Sequence, residues 1–334
     1  MIDPRALPKA ELHIHIEGTF EPAQIFQFAQ RNGVKLAYPD VAALEAAYKF
    51  TDLQSFLNLY YAAMAAIRTE RDFEELTIAY LQRAKAQGVR HAEIFFDPQA
   101  HLERGLSFDT VINGLWAALQ RSSSEFGITT ALIMCFLRDQ SEGSAMQTLE
   151  LALPHREKII GVGLDSAELG NPPSKFQAVF DRARAAGFLT VAHAGEEGPP
   201  EYVWEALNLL KVSRVDHGVR SMEDPMLVKH LAQTQTPLTV CPLSNVRLRV
   251  VDNMADHPLK RMMAAGLLCT VNSDDPAYFG GYVADNYTAV YDGLKLSDED
   301  LVQLARNSFT ASFMDDETKQ RYIGEIDGAV TAAP

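Results

Sequence analysis

The sequence predicts an α/β protein built as a (β/α)8 TIM-type barrel with a helical insertion after its first strand. Three observations predict this fold: eight short apolar runs, amphipathic stretches between most of them, and a chain of 334 residues without a Gly- or Ser-rich linker. The runs are almost continuously apolar, as expected of parallel strands buried on both faces. They cover residues 10–16, 91–97, 131–137, 159–165, 189–194, 214–219, 237–243 and 268–274.

Helical patterns fill the segments between these runs. The stretch 172–187 has proline near its start and glycine at its end, which is typical of a helix, and 223–234 is a second amphipathic stretch. About seventy residues separate the first two runs, and Thr51 is a suitable N-cap for one of the helices there. We expect residues 1–334 to form a single domain whose insertion, at about 20–88, lies at the C-terminal face of the barrel as a lid or pocket wall.

The composition argues against several classes of partner. Lys plus Arg number 30 and Asp plus Glu number 44, a net charge of −14 without a basic stripe, so neither nucleic acid nor an anionic membrane is an expected partner. The cysteines Cys135, Cys241 and Cys269 lie far apart in apolar runs, as buried thiols of a reducing compartment do. Without a secretory or membrane-spanning pattern, we expect a cytoplasmic protein, either monomeric or a homo-oligomer.

Polar residues collect at the ends of four of the apolar runs. Because the C-terminal ends of barrel strands face one common mouth, side chains from distant parts of the sequence should meet there. They are His13 and His15 in the first run, His193 and Glu196 at the fifth, Asp216 and His217 in the sixth, and Asp274 and Asp275 at the eighth.

Four of these side chains predict a metal site. His13 and His15 are two residues apart, so in a strand both imidazoles point to the same face. A single such histidine would more often be a core residue bonded to a backbone carbonyl. With His193 and Asp274, the pair forms a set of nitrogen and oxygen donors that suits Zn²⁺, although Fe²⁺ or Mn²⁺ could occupy the same site.

The other polar residues are candidates for acid–base chemistry. Glu196 lies three residues after His193, where a buried carboxyl group can hold and deliver a proton. His217 is a candidate to orient or deprotonate a metal-bound water, or to support the metal ligands from behind. Asp275 either accepts a hydrogen bond from the substrate or caps the segment that follows it.

Other chemistries lack their motifs. There is no G-x-x-x-x-G-K-[ST] phosphate loop and no G-x-S-x-G nucleophile turn. HAGE has the wrong spacing for the H-x-E zinc site of cytidine deaminases, and CPLSN lacks their second cysteine. The fourth run, IIGVGLDSAE, has no lysine to bridge two metal ions, which favours a single ion.

Five motifs together resemble the adenosine/adenine deaminase family of the amidohydrolase superfamily: HIHIEG, HAGEEG, DHGVR, VCPLSN and SDDPAYFGGY. The resemblance implies a metal-dependent hydrolase barrel with one zinc ion per chain and a small-molecule purine substrate. It implies that Glu196 gives a proton to N1 of the purine, that His217 positions the metal-bound water, and that Asp275 hydrogen-bonds N7. The zinc ligands that it implies are His13, His15, His193 and Asp274.

Two departures from the nucleoside-deaminating pattern favour the free base. Glu17 stands where adenosine deaminases typically have aspartate, and its extra methylene would leave less room for a sugar. Residues 163–176 read GLDSAELGNPPSKF instead of a D-L-A-G-D-E-like run, with the roles of Ser166 and Glu168 left open. The expected reaction is zinc-dependent hydrolytic deamination of adenine to hypoxanthine and ammonia, a step of purine salvage.

Several alternatives stay open at the sequence level. Adenosine and N6-substituted adenines could enter the same type of pocket, whereas AMP would need a basic cluster that the sequence lacks. A more remote alternative is a phosphoesterase that begins with H-x-H, which would use two or three metal ions and cationic side chains. A purine-binding protein without activity is disfavoured because every expected acid–base residue is present.

Overall fold

A computed structural model describes residues 2–332 of the chain. Eight parallel strands pair in sequence order, β1 with β2 through β7 with β8. The bridge between Ile14 and Asp274 joins the first strand to the segment after the last, so the sheet closes on itself. The strands are β1 Lys9–His15, β2 Val89–Phe96, β3 Thr129–Leu137, β4 Ile159–Asp165, β5 Leu189–Ala194, β6 Arg214–His217, β7 Leu238–Val240 and β8 Cys269–Val271.

The structure confirms the predicted fold class and all eight strands, but the last three are shorter than predicted. The predicted strand 237–243 ends at Val240 because Pro242 begins a helix. The strand 268–274 ends at Val271, and Asp274 has a left-handed φ of 64° that a strand cannot continue. In both places the chain leaves the barrel wall early and turns over its mouth.

Helices surround the barrel and account for most of the remaining chain. Four of them, α1 to α4, form the insertion between β1 and β2. The helices are α1 Pro22–Asn32, α2 Val41–Ala46, α3 Leu53–Met64, α4 Glu70–Ala86, α5 Pro98–Leu102, α6 Phe108–Leu119, α7 Ser122–Phe126, α8 Glu142–Ala152, α9 Gln177–Ala185, α10 Pro200–Glu205, α11 Pro225–Thr234, α12 Pro242–Arg247, α13 Leu259–Ala264, α14 Pro276–Phe279, α15 Val283–Leu294, α16 Asp298–Thr310 and α17 Asp316–Ala332.

One predicted helix cap is wrong by one residue. The N-cap of α3 is Asp52, not Thr51: the Asp52 carboxylate accepts the backbone N–H of Ser55, and the Ser55 hydroxyl accepts the N–H of Asp52 in return. This reciprocal pair satisfies two of the free amide groups at the helix start. A carboxylate also favours the positive end of the helix dipole, an advantage that a threonine hydroxyl lacks.

The barrel interior is filled just below the mouth. Phe95, Ile133, Cys135 and Val191 form a small buried cluster inside the strands. The ring of Phe95 has its centroid 5.0 Å from the imidazole of His13. The polar site therefore lies on an apolar floor, which keeps water from reaching it through the barrel. All three cysteines are buried free thiols. Within residues 2–332, no helix is long and apolar enough to cross a membrane.

Candidate active site

Three residues with left-handed backbone conformation lie at the C-terminal ends of even-numbered strands. Ser166 follows β4 with φ 73°, His217 ends β6 with φ 63°, and Asp274 follows β8 with φ 64°. Such angles are uncommon for residues other than glycine. All three side chains line one cavity at the mouth of the barrel. Backbone strain of this kind often marks functional sites, where the surrounding structure holds a side chain in a required direction.

The four predicted metal ligands lie together. His13, His15, His193 and Asp274 each offer one ligand atom, and these atoms all lie within 4.8 Å of one another. Nε2 of His15 is 3.2 Å from Nε2 of His193, and Nε2 of His13 is 3.2 Å from Oδ1 of Asp274. The structure therefore brings together the whole ligand set that the sequence predicts.

A chain of hydrogen bonds fixes the tautomer of His13. The Thr239 hydroxyl donates to Oδ1 of Asp216 at 2.8 Å, so its oxygen must accept the proton from Nδ1 of His13, 2.9 Å away. Nε2 of His13 then carries a bare lone pair, and this buried atom has no hydrogen-bond partner in the described chain. A lone pair that faces a carboxylate oxygen in a buried site fits a cation between them.

The other two imidazoles also have a carboxylate behind them. Nδ1 of His193 is 3.8 Å from Oδ2 of Asp216, and Nδ1 of His15 is 3.6 Å from Oδ2 of Asp165. Metal-binding histidines commonly face a carboxylate through the second ring nitrogen in this way. Asp216, which the sequence placed in the site without a certain role, thus lies behind two imidazoles.

The protonation states suit metal binding. Burial lowers the pKa of His15 to about 4 and that of His193 well below its ordinary value, so both rings are neutral at pH 7. Burial opposes ionisation of Asp274, but the neighbouring rings of His13, His217 and His15 together outweigh it and hold that pKa well below the usual range. Burial raises the pKa of the Cys241 thiol, which makes this nearby group a poor ligand.

Glu196 lies beside this group with the properties of a proton carrier. Burial, followed by repulsion from Asp274, raises the pKa of Glu196 well above its ordinary value. Oε2 of Glu196 is 3.6 Å from Nε2 of His217, and its Oε1 is buried without a hydrogen-bond partner among the described residues. A carboxyl group that is protonated and unsatisfied can donate to a ligand in the cavity.

His217 lies between Glu196 and Asp274. Its Nε2 is 3.7 Å from Oδ2 of Asp274, and its Nδ1 is 3.5 Å from the amide nitrogen of Asn245. Burial lowers the pKa of His217 to about 3, so the ring has only one N–H group at neutral pH. Since the amide nitrogen of Asn245 can only donate, that N–H is on Nε2 and points into the site.

Glu168 holds the loop that carries Glu196. This glutamate is fully buried, and its carboxylate accepts the backbone N–H groups of residues 195–198 at 2.7, 3.1, 2.8 and 2.7 Å. It is absent from the residues that line the cavity, whereas Ser166 lines it. Sequence reasoning left both roles open. Glu168 supports the loop, and only Ser166 reaches the space where a ligand would lie.

Asp275 also faces the cavity, and its position depends on a glycine. A β-carbon added to Gly18 would lie 2.0 Å from Oδ1 of Asp275 and 2.7 Å from its α-carbon, so no larger residue fits there. Burial, followed by repulsion from Asp274, raises the pKa of Asp275 well above its usual value. Its Oδ1 is another buried oxygen without a hydrogen-bond partner in residues 2–332.

Glu17 does not have the position that the sequence analysis assumed. Its carboxylate accepts hydrogen bonds from Nε2 of His101 at 2.8 Å and from the backbone N–H of Asp97 at 3.2 Å. It is buried behind the cavity wall and is not among the lining residues. The prediction that the longer side chain directly reduces the room for a sugar is therefore wrong. The Glu17 side chain turns toward the C-terminal end of β2 instead.

The cavity has an empty volume of about 380 Å³, which includes space open to solvent at its mouth. Helix α3 of the insertion covers it with apolar and aromatic side chains. Glu197 ties this helix to the loop of Glu196, because its Oε1 accepts the N–H of Leu53 at 3.3 Å. The lining residues from α3 are Leu53, Phe56, Leu57, Tyr60 and Tyr61.

Sequence reasoning missed two carboxylates in the cavity wall. Asp97 and Asp165 line the cavity, and each has only 2% of its surface exposed. Burial raises the pKa of Asp165 to about 7 and that of Asp97 well above its usual value. Asp97 directly follows β2 and Asp165 is the last residue of β4, so the rule that found His193 and Asp274 could have found them as well.

Comparison with known proteins identifies the family. The adenine deaminase of Streptomyces coelicolor is 63% identical over 323 residues, which cover 96% of this chain and 95% of that protein. The crystal structure of adenine deaminase from Arthrobacter aurescens has a TM-score of 0.96 at 55% identity and covers 98% of this chain and 100% of that one. An amidohydrolase from Burkholderia ambifaria, solved with bound zinc, has a TM-score of 0.91 at 28% identity and covers 98% and 92%.

The family model for adenosine deaminase matches residues 8–329, which include every candidate site residue described above. The family model, the similar proteins and the barrel fold all agree, so the chain belongs to the adenosine deaminase family.

Proposed function

We propose that this chain hydrolyses the C6–amino bond of adenine and releases hypoxanthine and ammonia, with one zinc ion as cofactor. Relatives at 63% and 55% identity that match nearly the full chain are adenine deaminases. The observation that carries the proposal is the position of Glu196. Its carboxyl group, whose pKa burial raises well above the ordinary value, lies beside His217, 3.6 Å from Nε2, in the same cavity as the proposed metal ligands.

Zinc fits the residues that would hold it. Three imidazoles and one carboxylate, from His13, His15, His193 and Asp274, form a donor set that zinc favours, and Nε2 of His13, which has no hydrogen-bond partner among the described residues, faces Asp274 within the set. When bound, zinc supplies the Lewis acidity that makes water a nucleophile at neutral pH. The related amidohydrolase with bound zinc supports this choice of metal.

Glu196 supplies the proton that the ring needs. As water oxygen adds to C6, the carboxyl group donates to N1, so negative charge does not build up on the purine. The Nε2–H of His217 orients the attacking water and stabilises charge on its oxygen. The C6–amino bond then breaks. Of the two water protons, one returns to the carboxylate of Glu196 and the other joins the departing amino group, which leaves as ammonia.

Asp275 orients the base on the other side of C6. Burial raises the pKa of its carboxyl group well above the usual value, which favours the protonated form that can donate to the lone pair of N7. Glu196 at N1 and Asp275 at N7 together fix the plane of the purine, with C6 between them. Orientation of this kind contributes to the rate without any further chemistry.

A substrate panel tests the proposal. Protein of known metal content is given adenine, adenosine and N6-methyladenine, and the loss of substrate absorbance is followed together with ammonia release. We expect the highest kcat/KM for adenine and one zinc ion per chain. A preference for adenosine or for N6-methyladenine would overturn the choice of substrate. Two or three ions per chain with phosphoester hydrolysis would favour the phosphoesterase alternative.

We further propose that residues 1–334 act as one metal-dependent hydrolase domain in the cytoplasm, where hypoxanthine enters purine salvage. The buried free thiols and the net charge of −14 support an intracellular enzyme without nucleic-acid or membrane partners. Fractionation of cells and the growth of a gene-deletion strain on adenine as the purine source would test this setting.

A further inference from the structure

One wall of the cavity contains carboxylate oxygens that the mechanism above does not use. Asp97 follows β2 and Asp165 ends β4, and both line the cavity. Oδ1 of Asp97 and both carboxylate oxygens of Asp165 are buried without a partner at ordinary hydrogen-bond distance among residues 2–332. Nδ1 of His15 faces Oδ2 of Asp165 at 3.6 Å, and the two carboxyl groups interact with each other, which leaves Oδ1 of Asp97 as the oxygen most in need of a donor. Buried oxygens without donors are rare in folded proteins and call for a partner from outside the chain.

A second metal ion is a poor partner for this pair. One oxygen of each carboxylate lies within 4.8 Å of a ring nitrogen of His15, which suggests a three-ligand site at first sight. However, Nε2 of His15 faces His193 at 3.2 Å, in the first ligand group. A neutral imidazole that binds metal through Nε2 keeps its proton on Nδ1, so it meets Asp165 as a hydrogen-bond donor. Only the carboxylates of Asp97 and Asp165 then remain as ligands for a second metal ion.

The neighbouring Ser166 offers the opposite kind of group. Its oxygen accepts the hydroxyl proton of Tyr61 at 3.0 Å, which leaves the Ser166 hydroxyl proton free to donate into the cavity. A carboxyl group keeps an acceptor oxygen whether or not it holds a proton, so the wall presents acceptors from Asp97 and Asp165 beside a donor from Ser166. A ligand that matches it needs an N–H group next to a lone pair.

Unsubstituted adenine has such an edge, with N9–H next to N3. This edge lies on the side of the ring system away from C6, with N3 on the same side as N1 and N9 on the same side as N7. Around the barrel, Ser166 at β4 neighbours Glu196 after β5, whereas Asp97 at β2 lies on the side of β1 and Asp275. A base oriented by Glu196 at N1 and Asp275 at N7 thus turns N3 toward Ser166 and N9 toward Asp97.

We propose that Asp97 and Asp165 bind the N9–H group of the free purine base and make this site selective against purines substituted at N9. The inference rests on the proposed function for the orientation of the base. A nucleoside lacks this hydrogen and would push its sugar against the two buried carboxyl groups, which would leave Oδ1 of Asp97 unpaired. A site built to hydrogen-bond one substrate group rejects analogues that lack it more strongly than a purely apolar pocket can.

The first test uses the unaltered holoenzyme with adenine and 9-methyladenine. We expect kcat/KM for 9-methyladenine to be lower by about 10⁴-fold, as found for sites that bind a substrate N–H or O–H group directly. If the two values lie within tenfold of each other, the inference is overturned, while the deamination of adenine stands.

The second test removes one carboxylate. Asp97→Ala should lower kcat/KM for adenine, because the acceptor is lost, and raise it for 9-methyladenine, because space for a methyl group appears. The ratio of kcat/KM for adenine to that for 9-methyladenine should therefore fall by about 10². Asp97→Asn keeps a carbonyl acceptor and should stay within about tenfold of the parent ratio. The matched control is Asp139→Ala, because Asp139 is an exposed carboxylate after β3, and its ratio should not change.

Two results would contradict the inference after the variants are made. Equal losses for both substrates in Asp97→Ala, with the ratio unchanged, would assign Asp97 a structural role only. A metal content of two per chain that falls to one in Asp97→Ala would assign the pair to a second cation. If the holoenzyme fails to deaminate adenine but accepts another purine base, the proposed function is wrong. The same comparison is then made with that base and its N9-methyl form.

Discussion

The carboxylate of Glu168 accepts the backbone N–H of Glu196 at 3.1 Å, so one buried glutamate holds the main chain of another. The two have different electrostatic surroundings. Glu168 receives four backbone N–H groups, from residues 195–198, whereas Glu196 has Asp274 nearby and a pKa well above its ordinary value, raised first by burial. A carboxylate bonded to the backbone thus supports a carboxyl group that faces the cavity.

Glu168→Gln should weaken both the fold and the reaction. The amide group keeps one acceptor oxygen but turns an N–H group toward backbone N–H groups, so part of the buried hydrogen bonding is lost. We expect the free energy of unfolding to fall by about 3 kcal/mol and kcat to fall at least tenfold. Urea unfolding and steady-state kinetics measure the two effects. The exposed Glu201→Gln on α10 is the control and should change neither.

Glu196→Gln tests the proton donor. The variant should bind the metal with unchanged stoichiometry, because Glu196 is outside the ligand group, and its kcat should fall by about 10² to 10⁴. Metal analysis and stopped assays of ammonia release provide the measurements. Turnover close to that of the parent enzyme would exclude Glu196 as the donor to N1.

Thr239→Val tests the hydrogen-bond chain behind His13. Valine has nearly the same shape but cannot accept from Nδ1 of His13 or donate to Asp216, so the imidazole is no longer held in one tautomer. We expect metal affinity to fall by about 10- to 100-fold while the fold is retained. Competition with a chelator measures the affinity, and circular dichroism checks the fold. The comparison variant His13→Ala should lose the ion altogether, and full zinc occupancy in it would disprove the ligand assignment.

His257 should make stability depend on pH. It is buried against Asn245, and burial lowers its pKa to about 4, whereas the unfolded chain takes up a proton near its ordinary value of 6.5. The unfolded state therefore binds more protons between these values, and stability is lost as pH falls through this window. From pH 7 to pH 5 the loss from this residue is about 2 kcal/mol.

The check is urea unfolding of the parent protein and of His257→Gln at both pH values, with excess zinc in each sample. The variant should lose less stability on acidification, by about 2 kcal/mol, because glutamine does not titrate. Equal losses in the two proteins would mean that His257 is not the group responsible, and that other buried histidines of the site carry the whole effect.

The strand pattern was readable from the sequence because parallel strands buried on both faces give continuous apolar runs. The convergence of His13, His15, His193 and Asp274 was readable because strand ends share one mouth. The C-terminal ends of β7 and β8 could not be predicted from the sequence, because they depend on where the chain bends over that mouth. The cap at Asp52 instead of Thr51 depends on a choice between adjacent residues that the sequence alone does not decide.

Side-chain direction limited the prediction of the site. Glu17 is next to the predicted metal ligands, yet a bond to His101 turns it behind the wall. Glu168 is far from Glu196 in sequence and meets its loop only through backbone N–H groups, which leave no pattern in the residue types. Asp97 and Asp165 were missed for a different reason: they are single carboxylates at strand ends, and no histidine pair drew attention to them.

The left-handed residues Ser166, His217 and Asp274 have a consequence for engineering this barrel. Each costs roughly 1 kcal/mol of backbone energy, so together they take up a noticeable share of a net stability of about 5–15 kcal/mol. Glycine at these positions would relax the backbone and delete the side chain that faces the ligand. Selection for heat resistance without selection for turnover should therefore enrich glycine at these three positions and yield a more stable but inactive protein.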